Sequence, residues 1–276
     1  MSSTLYFLPL LMGFAAFFGC WGKQSATSKE TPVIILRGAD GRTLTTDDLR
    51  GATGTFRYEI IGREGVPAEA ESLHQQARQA GGAGEYKKAL VLLERASQLA
   101  PRWPYPVYDM AYTYMLMKDF DSARRYYAKT VELSPRGYFT AITALDTLTR
   151  EKNGNLPAGT YMAYVSLEWI DNPEKKAGAV RQLVKSVPRF APVWKELASN
   201  LPDGDPHLLE TIEKGLAADP DAETKGVLRI NKALVLNGQG NHEGAIQLLG
   251  ELALDPKSTY ATEQLAKASL AILAKK

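Results

Sequence analysis

The chain has 276 residues, with 33 Lys and Arg against 31 Asp and Glu, a net charge of +2, and 45% hydrophobic residues. That length and apolar content suit a protein that folds over most of its length around a sizeable core, while so balanced a charge carries no footprint for nucleic acid or for a lipid surface. The single cysteine, Cys20, excludes an internal disulfide framework and a cysteine-based zinc site.

From Leu5 to Trp21 the sequence LYFLPLLMGFAAFFGCW carries no charge, and it gives way abruptly to the polar stretch 22–31. A membrane-spanning helix needs about 20 apolar residues, and Pro9 and Gly13 weaken this shorter run as a packed helix. Residues 1–21 therefore read as a signal peptide or membrane-targeting segment. Residues 22–31, GKQSATSKET, are too small and polar to order themselves and read as a flexible tether. In residues 32–65 the β-branched run VIIL at 33–36, the turn pair Asp40-Gly41 and the alternating TFRYEII at 55–61 predict two or three short strands, a small β-containing cap that leans on the first helical repeat.

From residue 66 onward the chain repeats itself. Pro101 and Pro135 are 34 residues apart, as are Ala89 and Ala123, Tyr86 and Phe120, and Leu93 and Tyr127. GEYKKALVLLERASQLAP and KDFDSARRYYAKTVELSP each end in a proline, which cannot continue the preceding helix, and their alanines let two helix backbones approach closely. LRINKALVLNGQGNHEGAIQLLGELALDP repeats the grammar with Ala233, Ala245, Leu249 and Pro256. On these residues the chain resembles the tetratricopeptide repeat (TPR) family, whose 34-residue unit is a pair of antiparallel helices. The resemblance implies an all-α, right-handed superhelical solenoid of helix pairs over 66–276, with a small N-terminal β element.

Between the marked repeats the pattern decays. EKKAGAVRQLVKSVP and PHLLETIEKGLAADP look like second helices with irregular first helices, which gives five pairs. An added helix near 137–151 precedes the break Asn153-Gly154-Asn155, and Thr259 to Leu273 predicts a capping helix that hides the end of the stack from water.

Phe17-Phe18-Gly19-Cys20 resembles the lipobox of bacterial lipoproteins, in which a small residue precedes a cysteine that is acylated. The resemblance makes Cys20 the lipid attachment site and places the protein at the cell envelope, membrane-tethered on the periplasmic or extracellular side. Ordinary cleavage or an uncleaved anchor is the alternative, because Phe stands at the two positions before Gly19 and no Lys or Arg precedes the apolar run.

In the TPR family the first helix of each pair lines the concave groove. That directs attention to Tyr105, Tyr108, Tyr112 and Met115, whose spacing of three, four and three puts them on one helical face, and to His74 and Arg78 from the first repeat. Aromatic faces bury large areas with few rotatable bonds and so suit the grip on a peptide or partner helix. The alternative is that the stripe packs the seam between repeats. The Lys and Asn pattern with which some members hold a peptide's terminal carboxylate is absent.

Catalytic signals are weak. His74, His207 and His242 fall in separate repeats without metal-ligand spacing, and Gly82-Ala83-Gly84 and Gly238-Gln239-Gly240 read as inter-helix turns. Glu168 with Asp171, and Asp203 with Asp205, read as capping or turn acids. The expectation is a non-enzymatic module without cofactor or metal that binds another protein. The alternative is a structural assembly factor for an envelope or secretion complex, with an enzyme a distant third.

Overall fold

A computed structural model describes four short strands together with residues 65–202 and 204–273. Cys20, the tether, the Asp40-Gly41 turn and Asp203 lie outside the described residues. Strands β1 (Leu5–Tyr6) and β3 (Gly54–Thr55) pair in parallel, whereas β2 (Val33–Arg37) and β4 (Arg57–Ile61) pair antiparallel with Val33 opposite Ile61.

The remaining described chain is helical: α1 (Ala68–Gly82), α2 (Tyr86–Leu99), α3 (Pro104–Leu116), α4 (Phe120–Leu133), α5 (Ala141–Lys152), α6 (Thr160–Ser166), α7 (Pro173–Ser186), α8 (Ala191–Ser199), α9 (Leu208–Ala217), α10 (Ala222–Gly238), α11 (His242–Leu254) and α12 (Tyr260–Leu273). Short connections make neighbours antiparallel, and most helices pack chiefly on a neighbour in sequence, while α10 also meets α5, α8 and α12. The result is an all-α, TPR-like solenoid.

The alanines of the repeat explain the packing. Ala77, Ala89, Ala96, Ala111 and Ala123 are all buried, as are Ala233 and Ala245 in the later pair. Thr130 stands where an alanine would repeat, and it is buried because its hydroxyl donates to the Tyr126 carbonyl at 2.9 Å, which satisfies the polar group inside its own helix.

Three pairs share one turn geometry. The second residue before α2, α4 and α11 takes a positive φ: Gly84 at 77°, Lys118 at 62° and Gly240 at 88°. A lysine there crowds its Cβ against the backbone. We expect Lys118→Gly to raise stability by about 1 kcal/mol and Gly84→Ala, which meets open space, to lower it by about as much. Urea melts of the two variants check both signs.

The middle departs from the repeat for local reasons. At the end of α5 the Glu151 carboxylate accepts from the backbone N–H groups of Gly159, at 2.8 Å, and Tyr161, at 2.6 Å, and so caps α6 across the Pro157-Ala158-Gly159 turn. Helix α6 then tightens into a 3-10 turn at Leu167–Trp169, and Asn172-Pro173 starts α7 with the Asn172 side chain as its cap. Helix α5 is the added helix expected near 137–151, and α12 is the expected capping helix. It lies so close to α10 that a Cβ on Gly226 would overlap the Thr262 side chain.

The largest buried cluster joins α3 to α8 through Tyr108, Ala111, Tyr127, Tyr161, Val180 and Phe190. A second holds α10, α11 and α12 together around Ile230, Leu249 and Leu265. Between them lies a smaller cluster of Ala198, Leu208, Ile212 and Leu228.

Candidate partner-binding surface

Helix α3 is central, and its burial corrects part of the groove reading. Tyr108 is 1% exposed and Met115 is fully buried, with Tyr112 nearly so. Segment 138–140 covers Tyr108: the Tyr138 ring lies 6.1 Å and the Phe139 ring 5.3 Å from its own, and its hydroxyl is 2.8 Å from Thr140 Oγ1. Burial pushes its phenol well above the ordinary value. For Tyr108 and Met115 the packing alternative therefore holds. A partner cannot touch them in this conformation, because segment 138–140 and the neighbouring helices cover them.

What stays accessible begins at the edge of that stripe. His74 is buried, with Nε2 2.8 Å from Asp109 Oδ2 and its ring edge-on to Trp103 at 4.9 Å. Arg78 keeps 41% of its side chain exposed while its guanidinium donates to the Tyr105 hydroxyl at 3.0 Å and lies over the Tyr105 ring. Of the residues predicted from sequence, the structure thus brings His74, Arg78 and half-buried Tyr105 together, with Asp109 between them.

One turn along α3 the surface continues into a second group. Burial raises the Tyr112 phenol, and the nearby Trp169 side chain offsets part of that rise. Trp169 itself is 52% exposed, an uncommon display for so large an apolar ring. Beside it Glu168 lies 3.8 Å from Lys176 Nζ, and burial, then the nearby Glu196 charge, raises its carboxyl above the usual range.

Beneath lies a buried ionic triad from α6 and α8. Lys195 Nζ donates to the Tyr164 hydroxyl at 2.9 Å, that hydroxyl donates to Glu196 Oε1 at 3.2 Å, and Lys195 and Glu196 pair at 3.3 Å. The arrangement holds charge in place and offers no nucleophile paired with a base.

Sequence reasoning missed this second group. Glu168 read as a capping acid, yet it faces Lys176 and Glu196 and caps nothing; Asp205, by contrast, does serve its turn by accepting from His207 N–H at 2.8 Å. Only the unusual Leu167-Glu168-Trp169 cluster, in a stretch without repeat register, could have signalled it. Among the described residues no group of three or more His, Cys, Asp or Glu is placed to hold a metal, and no helix is long and apolar enough to cross a membrane.

Comparison with known proteins follows the fold. No curated protein matches the chain. Among solved structures it is similar to a thermophilic TPR protein of Thermus thermophilus, at 17% identity over 73% of this chain and 99% of that one, with a TM-score of 0.31. The flexible tandem repeat domain of a bacterial cellulose synthase component shares 16% identity over 72% of this chain and 98% of its own, with a TM-score of 0.46. YrrB, a TPR protein with an unusual peptide-binding site, shares 14% over 75% and 91%, with a TM-score of 0.31. Residues 82–145, from the end of α1 into α5, match the sequence profile of the tetratricopeptide repeat.

Proposed function

We propose that this chain is a non-enzymatic protein-interaction module that holds a segment of another protein on the strip from Arg78 and Tyr105 across Asp109 and Tyr112 to Trp169 and Glu168. The observation that carries the reading is Trp169, half exposed between two groups of fixed charge. Exposed Trp beside oriented polar groups suits an anchor that a partner buries. The flanking ion pairs would fix the register of the bound segment.

The test is capture from a membrane extract with the full chain and with Trp169→Ala and Arg78→Ala, separately and together. We expect the captured protein to be lost while thermal unfolding stays within a few degrees of the parent. Equal capture by all variants would overturn the assignment of the strip.

We further propose that the N-terminal segment tethers the protein at the cell envelope, with Cys20 as the lipid attachment site. The lipobox-like Gly19-Cys20 pair after an uncharged run supports this. Mass spectrometry of the mature N-terminus decides it, and an unmodified Cys20 in water-soluble protein would end the proposal. A role as an assembly factor is favoured by a different surface: Val91, Leu99, Ile246 and Leu254 on the second helices α2 and α11 are exposed apolar side chains. Stable co-purification with a membrane complex that survives the Trp169 and Arg78 changes would support that role instead.

A further inference from the structure

The last helices do not simply extend the stack, since they return to its middle. The Tyr260 N–H at the start of α12 donates to the Arg136 carbonyl at 2.7 Å. The Arg136 guanidinium donates to the Ser258 carbonyl at 3.2 Å and pairs with Glu263. On α10, Glu223 accepts from the backbone N–H of Ile142 at 3.3 Å and of Thr143 at 3.0 Å, at the free N-terminus of α5, and also from the Thr143 hydroxyl at 3.0 Å. That hydroxyl reaches Asp221 Oδ1 as well, at 2.9 Å.

The contrast with the rest of the seam is chemical. Residues 136–143 meet α10 and α12 through charges and backbone groups, while the apolar cluster of α3 to α8 and that of α10 to α12 are separate. The apolar bridge lies elsewhere, at Ala198, Leu208, Ile212 and Leu228 between α8 and α10. A polar contact loses little when water replaces it, whereas an apolar one loses its burial. The first can open about the second as a hinge.

We propose that α10 and the start of α12 form a latch that closes the solenoid on the N-terminus of α5, and that its release opens the array about the α8 to α10 cluster. The latch anchors the stretch that carries Tyr138, Phe139 and Thr140, which covers Tyr105 and Tyr108. Opening therefore governs access to the concave aromatic face, whatever partner the protein holds.

The latch is sensitive to pH. Burial, then the Asp221 charge, pushes Glu223 up to about 8 from the ordinary 4.5. The groups facing it are Asp221, which caps α10, the Tyr108 hydroxyl on α3, the Tyr161 hydroxyl on α6, and the amides and hydroxyl of α5. A carboxyl raised by closing favours the closed form fully below its open-state value and loses that contribution as pH rises through its closed-state value. Glu263 acts oppositely: hydrogen bonds from Lys267, on its own helix, and from Arg136 lower it, and the Arg136 part, which closing adds, is present at neutral pH and lost on acidification. The latch thus holds at mildly acidic pH and loosens on the alkaline side.

The test uses the full chain with Cys20→Ser and spin labels at Lys129→Cys on α4 and Gln247→Cys on α11, both exposed. We expect one short distance at about pH 6 and a second, longer population of roughly a tenth or more at about pH 9. Glu223→Gln should abolish the pH dependence. Arg136→Ala with Thr143→Val should show the longer distance already at about pH 6, with helical circular dichroism unchanged. An unchanged distance in that double variant, or lengthening only in step with loss of helix, would overturn the latch. In the second case the contact would belong to one cooperative core.

Discussion

Tyr108→Ala is expected to lower the stability of the protein by about 3–5 kcal/mol. The side chain is 1% exposed, edge-on to the Tyr127 ring at 5.5 Å, and tied by its hydroxyl to Thr140. Truncation removes a full ring from between α3, α4 and the 138–140 segment, and neighbours fixed in helices collapse into the space only in part. Tyr108→Phe isolates the hydroxyl and should cost only about 1 kcal/mol. Urea unfolding measures both. A loss of about 0.5 kcal/mol or less for Tyr108→Ala, the ordinary value for a surface change, would restore the residue to the binding groove.

The second large effect is at the triad under Trp169. Glu196→Ala is expected to cost about 3–5 kcal/mol because it leaves the Lys195 ammonium buried without its carboxylate. The side chains of Lys195 and Glu196 are 10% and 2% exposed, and the Tyr164 hydroxyl bridges them. Replacing both charges by apolar residues of similar size, Lys195→Met with Glu196→Leu, should recover most of the loss, since the pair repays its desolvation only while complete. If the double variant is no better than Glu196→Ala, the cost lies in packing and the charge account fails.

These two residues show how unevenly the site could be read. Tyr105, Tyr108, Tyr112 and Met115 are on one helical face, and helical spacing alone reveals that. Whether such a face meets solvent or another part of the chain depends on residues 30 positions and more away, here Phe139 and Trp169, about which spacing says nothing. His74 and Arg78 were legible because they lie one repeat before α3 in register, so the fold had to bring them beside Asp109 and Tyr105. Glu168 was misread because an acid near a helix end usually caps it, and only the turn of the 3-10 segment aims it at Lys176 and α8.

The sequence by itself determined the helix pairs at their 34-residue spacing, the alanines at their crossings, the glycine turns at Gly84 and Gly240, the added helix and the capping helix. Each of these follows from interactions within one or two neighbouring repeats, and a linear pattern records such interactions directly. Only the tertiary structure decided how the pairs curl. The polar contacts of Arg136 and Glu223 join residues 80 to 127 positions apart. Contacts at that range leave no period in a sequence. They arise only when small rotations between successive repeats add up and bring α10 and α12 back to α5.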